Sequence, residues 1–258
     1  MATPAPPSVE ELGVRGAWYL LALTYGTDAR LPIAPTTRAT LVLLGFLRDF
    51  KIIEVPWPET RWPLRPDAED TPLEGLQWRY AWPAYARANL SRALTDFLED
   101  VPYSEAGLSC RLQYWDELSL DEAESFFEQQ LAKHHFAPGW ARDLAYVHRQ
   151  LEGQLTISQW RYCVWAAVRH GGSLAQQQPG GDPATIRDAI YSELRRRVGF
   201  VRGGQWSQAT LPPFNRSPRS ALGRMFVRHL ARKDLDYWDV VPSLAALKPL
   251  PREAGGGN

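Results

Sequence analysis

Apolar residues recur at helical spacing along most of the chain. Val14, Trp18, Leu21 and Tyr25 fall on one face of a helix expected over about residues 9–25. Ser8 with Glu11 supplies a capping box at its start: the serine oxygen takes one free backbone N–H and the glutamate takes another. Pro32 and Pro35 interrupt the chain, and Leu41, Leu44 and Leu47 mark a second helix over roughly 37–50. The β-branched stretch 51–57 reads as a short strand, and 76–82 (LQWRYAW) as a strand returning to it. Between them, residues 58–75 carry Pro58, Pro63, Pro66 and Pro72 and no period.

Further along, a helix is expected after Pro83 to about Leu98. Ser119 with Glu122 predicts a second capping box opening a helix to about Lys133, and Pro138 a first-turn position in a helix to about Glu152. Thr156 with Gln159 caps the next, over 157–170, with Gly171-Gly172 as its stop. Asp182-Pro183 begins a helix to about Val198, and Ser217-Pro218 begins the last long one, to about Arg232. The expected fold is mainly α: a multi-helix globular protein with a small β-hairpin-like element near 52–82. Helix, strand, long loop, strand is a winged-helix-like order in the N-terminal third, but the helix preceding the strand is apolar on most sides rather than a polar recognition helix. The expected organisation is a tail over 1–8, an N-terminal unit over 9–100, a helical C-terminal unit over 101–248 and a flexible tail over 249–258, the two units forming separate bodies or one continuous domain.

Composition narrows the function classes. Lys plus Arg is 29 and Asp plus Glu is 29, so the whole surface is no glove for an anionic partner. The basic set is almost all arginine, since lysine occurs only at Lys51, Lys133, Lys233 and Lys248. Arginine suits bidentate contact with carboxylate or phosphate, and a GC-rich bacterial genome gives the same bias. The longest apolar runs, 17–23 and 162–168, fall far short of the roughly 20 residues that span a bilayer, so no membrane partner is expected. Cys110 and Cys163 are too few for a zinc site or a disulfide scaffold. The opening residues lack the basic and apolar regions of a secretory signal. A cytoplasmic location with free thiols is the expectation.

No motif specifies a reaction. His134, His135, His148, His170 and His229 lack zinc-protease spacing, and a set of His135 with His148 and Glu128 is no more specific than any helical pairing of acids and histidines. His170-Gly171-Gly172-Ser173 resembles an esterase oxyanion element but follows a helix, and no G-x-S-x-G elbow accompanies it. Cys163 sits mid-helix among large apolar residues and reads as packed rather than reactive. Phosphate-loop signatures are missing. Asp116, Glu117, Asp121, Glu122, Glu124 and Glu128 have the spacing of a solvated acidic helix face. No cofactor and no metal are expected.

Charge is segregated. Residues 93–132 hold ten carboxylates against the single Arg111, and residues 186–233 hold eleven Arg or Lys against Asp188 and Glu193. The two regions are expected to pair internally, to meet nucleic acid, or to meet an acidic protein. The nucleic-acid candidates are Arg195, Arg196, Arg197, Arg216, Arg219, Arg224, Arg228 and Arg232, with Arg224, Arg228 and Arg232 as a stripe spaced by four. The triplet Arg195–Arg197 also suits the negative end of a helix dipole. Eleven tryptophans are present, and most are expected in the core. Trp57 and Trp62, with Arg61 and Arg65, lie in or beside the proline-rich segment and are the protein-interface candidates. The expectation is a non-enzymatic helical subunit of a bacterial multi-protein assembly acting on nucleic acid. The alternatives are a stand-alone DNA-binding or regulatory protein, and an enzyme with a dispersed site.

Overall fold

Side-chain caps set most of the helix starts. Ser8 and Glu11 form the expected reciprocal box (2.8 and 3.2 Å) at the head of α1, Val9–Ala29. Gly13, at φ +62, puts a kink in its first turns. The Thr36 hydroxyl accepts from Ala39 N–H and starts α2, Thr37–Asp49. Ile53–Glu54 (β1) pairs antiparallel with Arg79–Tyr80 (β2), Ile53 opposite Tyr80 and Glu54 opposite Arg79. Then come α3 (Leu90–Glu99), α4 (Glu105–Lys133), a 3-10 turn (Pro138–Asp143) running into α5 (Leu144–Gln150), α6 (Ile157–Gln177) and α7 (Pro183–Arg202). α8 (Ala221–Met225) passes into a π-helical turn, Phe226–Leu230, and α9 is a single turn, Leu244–Leu247. This computed structural model describes residues 8–54, 78–81, 89–150, 155–206, 219–231 and 235–248. The protein is mainly α with a small two-stranded element. Among the described residues no helix is long and apolar enough to cross a membrane.

Several boundaries differ from expectation, each for a visible reason. Ser119 opens no helix. It lies inside α4, whose cap is Ser104, and its hydroxyl donates to the Trp115 carbonyl one turn back at 2.7 Å. Glu122, its supposed capping partner, turns instead to Arg161. Thr156 and Gln159 do cap α6, but Gly171-Gly172 does not end it. A Cβ at Gly171 would lie 2.4 Å from Ile190 of α7, and one at Gly172 would lie 2.6 Å from the His134 ring. The pair is there for close packing, and the helix runs six residues past Gly171 to Gln177. The segment expected to be helical from Ser217 to Arg232 starts only at Ala221, capped by Ser220, and leaves helical geometry at Ala231. Ser217 and Pro218 lie outside the described residues.

Two apolar cores share α4. The first joins α1, α2, β1, α3, the N-terminal half of α4, α8 and the segment around Trp238. Trp18 is buried at its centre, with its indole N–H donating to the Leu222 carbonyl. The second joins the C-terminal half of α4 with α5, α6 and α7, around Phe127, Trp160 and Leu194. α6 packs along both α7 and α4, whereas α8 packs on α1.

Candidate nucleic-acid interface

Two helical repeats build an exposed face on α6 and α7. Tyr162, Trp165 and Arg169 stand at i, i+3 and i+7 of α6, and Glu193, Arg196, Arg197 and Phe200 at i, i+3, i+4 and i+7 of α7. Trp206 completes the group through the turn that closes α7. Gly204, at φ +70, lets its N–H reach the Val201 carbonyl (3.1 Å) and Gln205 N–H reach the Phe200 carbonyl (3.0 Å). This is the left-handed glycine stop of a helix, and it folds the next residue back over the last turns. Trp206 therefore lies 5.2 Å from Phe200 and edge-on to Tyr162 at 6.1 Å, while Tyr162 lies 6.0 Å from Trp165.

Three guanidiniums cover these rings. Arg197 sits 4.6 Å above Trp206, Arg169 4.8 Å above Trp165 and Arg196 5.4 Å above Phe200. Arg196 and Arg169 are exposed, and Tyr162, Trp165, Phe200, Trp206 and Arg197 are half-buried. Glu193, itself buried, accepts from both Arg196 and Arg197. Burial pushes its carboxyl upward, but the hydrogen bonds from Arg197 and Arg196 outweigh burial and hold it below the ordinary range. It stays ionised and fixes two of the three cations. Positive charge laid over partly exposed aromatic faces is the arrangement that stacks bases and neutralises phosphates.

The structure separates the other candidate arginines. Arg195 points away from Arg196 and Arg197, lying 6.0 Å from Tyr191 in a groove with Asp143, Tyr146 and Arg187. Arg224 is on α8, which packs on α1, Arg219 stands just before it, and Arg228 is on the π turn, which packs on α3. Arg219 is exposed beside Glu122, Arg224 is half-buried, and Arg228 is exposed next to His229, which pairs with Glu99 at 2.8 Å. Arg216, Arg232, Trp57, Arg61, Trp62 and Arg65 lie outside the described residues. Tyr162, Trp165, Arg169, Phe200 and Trp206 were not anticipated. Their signal is aromatic residues at helical spacing beside arginines on two consecutive helices.

The acidic helix face is not solvated. Glu122 and Glu124 are 3% and 1% exposed. Arg15 chelates Glu117 with two bonds (2.8 and 2.9 Å), Arg38 donates to Asp121 and Glu124 (3.1 and 2.9 Å), and Arg161 donates to Glu122 (2.8 Å). Among the described residues the arginine partners of these four carboxylates come from α1, α2 and α6, and Arg219 adds to the field at Glu122. Arg15, Arg38, Glu117 and Asp121 line a cavity of about 260 Å³ between α1, α2 and α4. Burial pushes Asp121 up to about 7 against the pull of Arg38, and burial together with Glu124 does the same to Glu128.

Cys163 is fully buried, and burial pushes its thiol up to about 12, so it is protonated at neutral pH. His148 stacks on Trp160 beside Asp116, while His135 is exposed. Among the described residues no group of three or more His, Cys, Asp or Glu side chains is placed to hold a metal ion. No protein-family model, no curated protein and no solved structure matches the chain.

Proposed function

We propose that the chain is a nucleic-acid-binding helical subunit of a larger bacterial assembly, and that it holds a single strand on the face formed by α6 and α7. One observation carries this reading: Arg169, Arg196 and Arg197 lie over half-exposed aromatic rings on a single face. Guanidiniums supply phosphate contacts and the rings supply sequence-tolerant stacking. In this reading the proline-rich segment with Trp57, Arg61, Trp62 and Arg65 serves the protein partner, because tryptophan and arginine are the usual interface anchors. Arg219, Arg224 and Arg228 serve as secondary phosphate contacts.

The test is binding of a labelled oligonucleotide, single-stranded and duplex, across a salt series. Single-strand affinity should fall with salt at a log–log slope of roughly −1.4, since Glu193 offsets one of the three cations and about two phosphates are neutralised. Trp206→Ala should lose about 1–3 kcal/mol, the stacking of one base. Arg169→Ala should weaken binding and make the slope shallower. Failure of the wild type to bind at low salt, or binding untouched by both substitutions, overturns the assignment.

A further inference from the structure

A groove of about 480 Å³ opens between the N-terminal half of α4, the end of α5 and the segment leading into α9. Part of its wall is apolar: Leu112 of α4 and Pro242 are half-buried, and Leu244 is 41% exposed. Two opposite charges line the same groove, Asp116 of α4, half-exposed, and Arg149 of α5, exposed. His148, the residue before Arg149, brings the two helices together there, with Nε2 3.6 Å from Asp116 Oδ1.

Both charges are open to a ligand. Arg149 Nε donates to the Ala145 carbonyl one turn back at 3.3 Å, and its two terminal amino groups meet no carboxylate among the described residues. Asp116 has only His148 against it. Burial lowers the His148 pKa below its ordinary 6.5 despite the pull of Asp116, so the imidazole is neutral at pH 7 and no cation among the described residues balances the carboxylate. The groove therefore offers one anion, one cation and an apolar wall. Its complement is a molecule that carries an ammonium, a carboxylate and apolar side chains. The volume lies within the usual range for sites that enclose a ligand of drug size, and it exceeds what a single amino acid fills.

We propose that this groove binds a short apolar peptide by its two ends, the free amino terminus on Asp116 and the terminal carboxylate on Arg149, with the side chains against Leu112, Pro242 and Leu244. The guanidinium fork of Arg149 matches a carboxylate with two parallel bonds. Ser109 and Gln113 line the same groove and supply polar groups for the peptide's backbone amides. This site uses none of the residues of the α6–α7 face, so the two assignments stand or fall separately.

The experiment is calorimetric titration of the full chain with leucyl-leucine, its N-acetyl and C-terminal amide forms, glycyl-glycine and leucine. Leucyl-leucine is expected to bind with a sub-millimolar Kd. The acetylated form lacks the ammonium, the amide lacks the carboxylate and glycyl-glycine lacks the apolar side chains, so each should bind about tenfold more weakly or worse. Asp116→Asn and Arg149→Gln change side chains open to solvent, and unchanged circular dichroism is expected of both. In Asp116→Asn the free and acetylated dipeptides should bind alike, and in Arg149→Gln the free acid and the amide should bind alike, each at the weaker level. Four results overturn the proposal: no binding of leucyl-leucine at millimolar concentration, equal binding of the acetylated, amidated or glycine dipeptide by the wild type, selectivity for both ends kept in both variants, or leucine binding as tightly as the dipeptide. Oligonucleotide binding should be the same in the two variants as in the wild type, and its loss there would place Asp116 and Arg149 in the strand site instead.

Discussion

Arg111 shows how little a residue's sequence neighbours say about its role. In sequence it is the lone cation in an acidic stretch. In the fold it is 1% exposed and donates to three backbone carbonyls: Leu230 at the end of the π turn, and Val101 and Pro102 ahead of α4. The Tyr103 ring lies 4.4 Å from its guanidinium. It ties α4 to the chain entering it and to the end of the α8 segment, satisfying carbonyls that have left helical geometry. Hydrogen bonds from a charged donor are worth about 1.5–3 kcal/mol each, so Arg111→Met, which keeps the bulk and removes the donors, should cost about 3 kcal/mol or more in urea unfolding. A loss under about 1 kcal/mol would mean the carbonyls find water instead. Gly171 and Gly172 teach the same lesson. A glycine pair after an apolar helical run is a reasonable stop signal, yet here Ile190 and His134 occupy the space a Cβ would need. Caps such as Ser8, Thr156 and Asp182 were legible because their partners lie two or three residues away. The partners of Arg111 and the glycines lie up to 119 residues off.

α4 is the element whose character changed most between sequence and fold. Asp116, Glu117, Asp121, Glu122, Glu124 and Glu128 read as a solvated face, because the arginines that pair with four of them are on α1, α2 and α6. Nothing in a local pattern reveals that match. Its consequence is a reversed pH response. Asp121, at about 7 in the fold against 3.8 unperturbed, and Glu128, at about 7 against 4.5, hold protons in the folded chain that the unfolded chain has released. Their contribution to stability is fully present below about pH 4 and is lost as pH rises through about 7. Arg38 opposes burial at both groups, Glu124 and Glu117 reinforce it at Asp121, and Glu124 reinforces it at Glu128 while Arg142 opposes it. His148, lowered by burial, works the other way and adds stability as pH rises through its unfolded value of 6.5. Comparing wild type with Asp121→Asn isolates the acidic term. The melting temperature of the wild type should fall relative to the variant between about pH 5.5 and 8, by several degrees, since ~1 kcal/mol moves a protein of this size by about 2–4 °C. Parallel pH curves for the two proteins would place the Asp121 pKa in the ordinary range.

At the scale of the whole molecule, α4 also decides how the chain unfolds. The first core draws on residues 12–53, 94–118, 157 and 221–247, and the second on residues 123–201. The mainly helical class and the small strand pair were legible from periodicity and punctuation, because both signals are local. Closure of the first core by Ala221, Leu222 and Phe226 against α1, some 200 positions away, was not. With α4 continuous from Glu105 to Lys133, and Arg161 and Arg38 pinning its centre, neither core can lose its share of the helix without fraying the other's. The two cores are therefore expected to unfold in one transition. Leu131→Ala, on α4 and fully buried in the second core, should cost about 2–5 kcal/mol. In native-state hydrogen exchange the most protected amides of both cores, such as Leu20 in α1 and Val164 in α6, should lose protection together by that amount. If Val164 exchanges faster while Leu20 keeps its protection, the cores are separate cooperative units and α4 is a linker between them.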